Sequence, residues 1–156
     1  MNKIEKRLKD LNIVLPKAKE GVGAYKSWAI FSDNIVCTSG QLPWENDVLA
    51  YTGKLGKDVD VETGYDCARL CTIHAIAQLK EATGGDLSKV KQIIRVEGNI
   101  QTTANFYNHA EVLNGASELL NDVFGDIGIH TRTAQGMSSS PLNSPTLIYL
   151  FAEIEK

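Results

Sequence analysis

The sequence predicts an α+β fold in which a mixed sheet carries two long helices on one face. Residues 61–82 and 105–124 place apolar side chains at helical spacing. Residues 25–31, 34–38, 90–100 and 146–154 are rich in β-branched and aromatic residues and end at polar or glycine turns. Strand and helix alternate in the middle of the chain, while the first strands form a hairpin. One sheet covered by two helices packs that order most simply.

Each element has a local cause. Residues 2–11 read as a short amphipathic helix with Ile4, Leu8 and Leu11 on one side, and Pro16 ends it. Tyr25 to Phe31 and Asn34 to Thr38 read as two strands joined by a polar turn at Ser32 and Asp33. Ser39 to Pro43 stops the second strand, and residues 44–60 read as a loop with one short strand. Asp60 is placed to cap the next helix by accepting from its free N–H groups. In that helix Val61, Tyr65, Ala68, Thr72, Ala75, Leu79 and Ala82 share a face, and Gly84 and Gly85 terminate it.

Val90 to Ile100 is the clearest strand, with Ile94, Val96 and Ile100 expected on one side. Phe106, Ala110, Leu113, Ala116 or Ser117, Leu120 and Phe124 form the stripe of the second helix, and Gly125 stops it. Ser138 to Pro145 cannot sustain a helix or central strand, and Thr146 to Ile154 is the last strand. Residues 1–156 read as a single domain with an N-terminal helical extension over 1–23. The second sheet face has only the N-terminal helix for cover, so it is expected to meet another subunit.

Composition narrows the function. The chain has 156 residues, 43% hydrophobic and 22% charged, which suits one soluble globular domain. A net charge of −3 gives no general basic footprint and argues against nucleic acid as a partner. No apolar run is long enough to span a bilayer, and Met1 to Asp10 is too charged for a secretory signal. Three cysteines do not make a disulfide framework, so a cytoplasmic location is expected.

The segment with most chemical content is Gly128 to Gly136, GIHTRTAQG. It holds Arg132 among small, uncharged residues, and no Asp or Glu lies between Asp126 and Glu153. A guanidinium is always charged, and its planar fork matches a carboxylate or phosphate with two parallel hydrogen bonds. Arg132 is therefore a candidate anion anchor, against the alternatives of a distant salt bridge or a plain surface arginine. Cys67, Cys71 and His74 lie near one helix face but read as packing, because one helix rarely closes a metal site alone. Ser39 before Gly40 lacks the rest of a Gly-x-Ser-x-Gly nucleophile turn, although His130 or His74 could in principle serve it as a base.

Several segments together resemble the RidA family, also called YjgF, YER057c and UK114. They are Ser39 to Pro43, Gly53 to Gly56, Gly64 to Ala75, Val112 to Ser117, Phe124-Gly125 and Gly128 to Gly136. The resemblance runs through residues 24–150 in order, and it is to a longer branch of the family. It implies a chorismate-mutase-like fold and a homotrimer with a central barrel and clefts between subunits. It implies hydrolysis of 2-imino or enamine acids to 2-keto acids and ammonia without metal or organic cofactor.

By the same resemblance, Arg132 would hold the carboxylate of a small substrate. Asn114, Ser39, Gly40 and Tyr25 would complete the binding site. Two positions depart from the family pattern. Its cysteine two residues after the arginine is Ala134 here, and the acid of its last strand faces Thr146 to Tyr149. A non-catalytic binder or sensor of small carboxylates is thus the second reading, and an RNA-cleaving or translation-inhibiting protein the third.

Overall fold

A computed structural model describes residues 1–156. The elements run α1 (Lys3–Asp10), β1 (Trp28–Phe31), β2 (Ile35–Thr38), β3 (Trp44–Glu45), β4 (Val48–Leu49), α2 (Val61–Ala82), β5 (Val90–Gln101), α3 (His109–Phe124), β6 (Thr131–Met137) and β7 (Thr146–Ile154). Five strands form one mixed sheet in the order β1-β2-β7-β5-β6, in which only β5 and β6 are parallel. The expected single strand within 44–60 is instead the tight hairpin of β3 and β4.

Helix boundaries follow their caps. Asn2 and Glu5 exchange side-chain and backbone bonds in a capping box at the start of α1. The Thr63 N–H donates to Asp60 at 2.8 Å, and these hydrogen bonds hold the Asp60 carboxyl below its ordinary range. Gly84 and Gly85, at φ +70° and +94°, turn the chain away after α2. The second long helix begins at His109 rather than 105. Residues 103–106 form a turn in which the Phe106 N–H donates to the Thr103 carbonyl, and 107–108 are irregular.

Both long helices lie on the same sheet face. Ala68, Thr72, Ala75 and Leu79 of α2 are fully buried, as are Val112, Leu113, Ala116 and Leu120 of α3. Ala110 of the expected stripe is exposed. The sheet contributes Val36, Ile93, Val96, Ile100, Ile148, Leu150, Ala152 and Ile154 to this core. Each large aliphatic side chain buried there stabilises the fold by about 1.5–3 kcal/mol. A bulge at Ile93–Arg95 puts Ile93 in the core and leaves Ile94 half-buried, which reverses the expected alternation at that end of β5.

The helices touch where α3 has Gly115. A methyl group there would sit 2.1 Å from the Tyr65 carbonyl oxygen of α2, so only glycine allows this approach. Nearby, the Tyr65 hydroxyl donates to Glu118, which pushes the phenol pKa up to about 12.

The opposite sheet face has no helical cover at all. Contrary to expectation, α1 does not lie there; it packs on α3, with Arg7 beside Gly125. Nor is the open face uniformly apolar, because the Ile and Val residues point mostly to the helices. Phe31, Cys37, Leu147, Tyr149 and Phe151 share one half of it by register, and Arg95, Glu97, Asn99, Thr133 and Gln135 share the other. Arg95 pairs with Glu97 at 2.9 Å and also donates to Thr133. Of the N-terminal extension only Lys3–Asp10 is helical. Residues 17–27 cross the outside of α2, where the Lys19 carbonyl accepts from Gln78 at 2.7 Å and from Ser27 at 2.8 Å.

Candidate active site

The sequence-derived site residues fall into two groups. Arg132 lies on the edge strand β6, in register with Val96 on the helix-covered face, so its side chain reaches α3. Its Nη1 donates to Asn114 Oδ1 at 2.8 Å and to Ser117 Oγ at 3.1 Å, and its Nη2 donates to the Ala110 carbonyl at 3.3 Å. These bonds use three of the five guanidinium hydrogens. The Nε–H and one hydrogen of Nη2 remain, and these two nitrogens flank one edge of the plane.

No carboxylate neutralises this cation. The ion pairs of the chain are Lys19–Asp47 and Arg95–Glu97, and Arg132 takes part in neither. The salt-bridge alternative for Arg132 is therefore excluded within one chain. Its half-buried position and bonds to α3 also exclude a freely waving surface arginine.

Behind the arginine stands a fixed hydrogen-bond chain. His130 Nδ1 lies 2.6 Å from the Gly128 carbonyl, which can only accept, so Nδ1 carries a hydrogen. With Nδ1 as the ring's donor, Nε2 is the acceptor for the Ser117 hydroxyl, 2.9 Å away. With its proton so directed, Ser117 presents a lone pair to Arg132. His130 thus supports the arginine rather than a serine nucleophile. Ser117 and the Ala110 carbonyl were not foreseen as arginine partners, since nothing in sequence spacing ties α3 to β6.

The second group surrounds a cleft of about 620 Å³ at the end of β2. Tyr25, Ser39 and Gly40 line it, with Gln41, Leu42, Leu147 and Tyr149. Tyr25 precedes β1 and is exposed. The Ser39 hydroxyl donates to the Lys26 carbonyl at 2.5 Å, and no histidine is within hydrogen-bond reach of it. The two groups are not joined in one chain: β2 and β6 are three strand spacings apart, about 14 Å.

The departures noted above have a place in space. Ala134, two residues after Arg132, packs partly against the core. Tyr149 looks into the cleft from the last strand. Glu153 does not shift into that role, because it pairs with Ile35 and Gln92 and accepts from Asn34 at 3.4 Å.

The cysteine and histidine cluster of α2 does not converge. His74 Nε2 donates to the Trp44 carbonyl at 2.9 Å, while Cys71 contacts Thr146. Burial pushes the Cys67 thiol up to about 12 and the Cys71 thiol up as well. Elsewhere, one open groove gathers Lys54, Lys57, Phe106, Tyr107 and His109, a small basic and aromatic group that the sequence did not reveal. No helix is long and apolar enough to cross a membrane.

Comparison with known proteins matches this fold to one family. A family model described as "YjgF/chorismate mutase-like, putative endoribonuclease" matches residues 5–154. The chain belongs to that family, which includes the RidA proteins. Protein TCP17 of Trypanosoma cruzi is 32% identical over 154 residues, spanning 97% of this chain and 94% of its own. A solved structure described as a "putative endoribonuclease" from Shewanella oneidensis is 42% identical, with a TM-score of 0.94 over 98% of this chain and 100% of its own. RidA from an Antarctic Psychrobacter shares the fold, with a TM-score of 0.60 at 20% identity, over 88% of this chain and 94% of its own.

Proposed function

We propose that this protein hydrolyses small 2-imino or enamine acids to 2-keto acids and ammonia. The observation that carries the reading is the un-neutralised Arg132, held by three hydrogen bonds with its Nε–H and one Nη2 hydrogen left over. A carboxylate would accept both. In the proposed assembly, a homotrimer, Arg132 and Asn114 of one copy face the Tyr25–Ser39–Gly40 cleft of its neighbour. The open sheet face and the separation of the two groups by three strand spacings support that arrangement.

The chemistry asks little of the protein. A protonated imine is already electrophilic. Water adds to C2, one of its protons passes to nitrogen, and the C–N bond breaks as the remaining hydroxyl proton passes to the departing ammonia, giving the keto acid and ammonium. Holding the carboxylate fixes C2, and the Gly40 backbone and the Ser39 hydroxyl oxygen, whose own hydrogen is spent on the Lys26 carbonyl, are the polar groups that would orient water. No metal or organic cofactor enters this scheme.

Ala134 and Tyr149 favour one alternative, a non-catalytic binder of small carboxylates, because neither supplies a thiol or carboxylate near the reacting carbon. Freshly generated 2-aminoacrylate separates the two. The hydrolase releases ammonia above the spontaneous rate, whereas a binder takes up keto acids without doing so. Light scattering at micromolar concentration tests the trimer, and a monomer mass would remove the shared cleft. The groove of Lys54 and Lys57 offers far fewer cationic contacts than nucleic-acid sites usually have.

A further inference from the structure

The cleft beside Ser39 and Gly40 has a wall with no evident duty in the chain's own packing. Pro141 and Leu142, from the loop after β6, form it. Leu142 is 63% exposed and sits at φ +57°, a left-handed backbone conformation that leucine rarely adopts. Exposing a leucine and straining its backbone are both unfavourable. Such strain persists only where the surroundings enforce it, and it gathers at binding sites.

The surroundings here do enforce it. Gln101, 2% exposed, lies beneath the loop and uses its whole amide to hold it. Its Nε2 donates to the Gly53 carbonyl at 2.9 Å and to Asn143 Oδ1 at 2.8 Å, and its Oε1 accepts from the Ser140 N–H at 2.8 Å. The Gly53 N–H donates to the Asn143 carbonyl at 2.9 Å. Leu142 is therefore presented by a braced loop.

Across the cleft stand Val22, Leu42, Leu147 and Tyr149. The volume of about 620 Å³ lies within the range of small-molecule pockets, which are mostly apolar with a few polar groups. Among the charged lining residues, Lys19 and Asp47 neutralise each other at 2.7 Å. Exposed Glu20 remains, and it would repel an acidic side chain.

We propose that Leu142 and its facing apolar residues make this a side-chain pocket that selects 2-imino acids with leucine-sized apolar side chains over alanine-sized or acidic ones. The inference rests on the proposed reading, in which Arg132 of a neighbouring copy holds the carboxylate at the same cleft.

The test is a calorimetric series on the full-length protein with pyruvate, 2-oxobutyrate, 4-methyl-2-oxopentanoate and 2-oxoglutarate. Affinity should rise by about fourfold per buried methylene along the first three. Leu142→Asn keeps a residue that tolerates the left-handed backbone but replaces the apolar wall. It should weaken 4-methyl-2-oxopentanoate by about tenfold and leave pyruvate nearly unchanged, and Leu142→Ala should do the same. A flat or reversed series, with binding still dependent on Arg132, overturns the selectivity and spares the carboxylate anchor. Equal weakening of all acids together with a fall in molecular mass makes Leu142 an assembly contact and also overturns it. Failure of every acid to bind at millimolar concentration defeats the anchor reading and this inference with it.

Discussion

Arg132 donates to the Asn114 side-chain oxygen at 2.8 Å, which joins an edge strand to the middle of α3. That bond fixes the direction in which the remaining guanidinium hydrogens point. An arginine oriented in this way binds by geometry as much as by charge.

Arg132→Lys keeps the charge and loses the fork. Keto-acid affinity should fall by the value of a charge-assisted pair, roughly 1.5–3 kcal/mol, or about ten- to more than a hundredfold. Calorimetric titration with pyruvate or 2-oxobutyrate measures it, with the melting temperature as control for the fold. Equal binding by both proteins would show that Arg132 is not the anchor.

Gly115→Ala tests the helix contact. The new methyl would meet the Tyr65 carbonyl at 2.1 Å and the Arg69 nitrogen at 3.2 Å, and backbone cannot rotate aside as a side chain can. Overpacking costs about 1–3 kcal/mol and competes with the ~1 kcal/mol that alanine contributes as a better helix former. A net loss and a melting point lower by a few degrees are expected, and an unchanged or higher one refutes the close-packing account.

His74 gives the stability a pH dependence of known sign. Burial, the largest cause, lowers its pKa below the ordinary value of 6.5, although the bond to the Trp44 carbonyl opposes this. Below 6.5 the unfolded chain therefore binds a proton that the folded one resists, so stability is complete above that pH and declines beneath it. The decline stops at the folded pKa. Urea unfolding between pH 8 and 5 should show a shallower decline in His74→Gln than in wild type, and parallel curves would discount the residue.

Chelators should leave the melting temperature and any ammonia release unchanged. The three side chains do not converge on a metal: Cys71 contacts Thr146, His74 is committed to the Trp44 carbonyl, and burial disfavours the thiolate form of both cysteines. Loss of activity in EDTA, restored by zinc, would revive a metal site at Cys67, Cys71 and His74.

The outline of the fold was readable because its signals are local. Asp60 and the paired glycines 84 and 85 set the ends of α2 through hydrogen bonds within a few residues, and the alanine stripe follows from helical period. The bulge that exchanges Ile93 for Ile94 was not readable, since it arises from pairing with β7. The start of α3 was misjudged for a similar reason. Asn108 spends its side chain on Glu111 rather than on a cap, so residues 105–108 carry no clear start signal. Arg132 stood out by its lack of acidic neighbours in sequence. Its bonds to Asn114 and Ser117, and the braced wall at Leu142, are tertiary and leave no spacing to detect.

The two strands that lie between β2, which leads to Ser39, and β6, which carries Arg132, have a genetic consequence under the proposed assembly. A defective copy does not merely remove its own share of activity. One lacking Arg132 ruins the cleft it shares with one neighbour yet still lends an intact Ser39 side to the other. Two defective proteins, one damaged on each side, would restore working clefts when mixed, and either allele alone would be null. In such an assembly, dominance, complementation and gene dosage would follow from the width of the sheet.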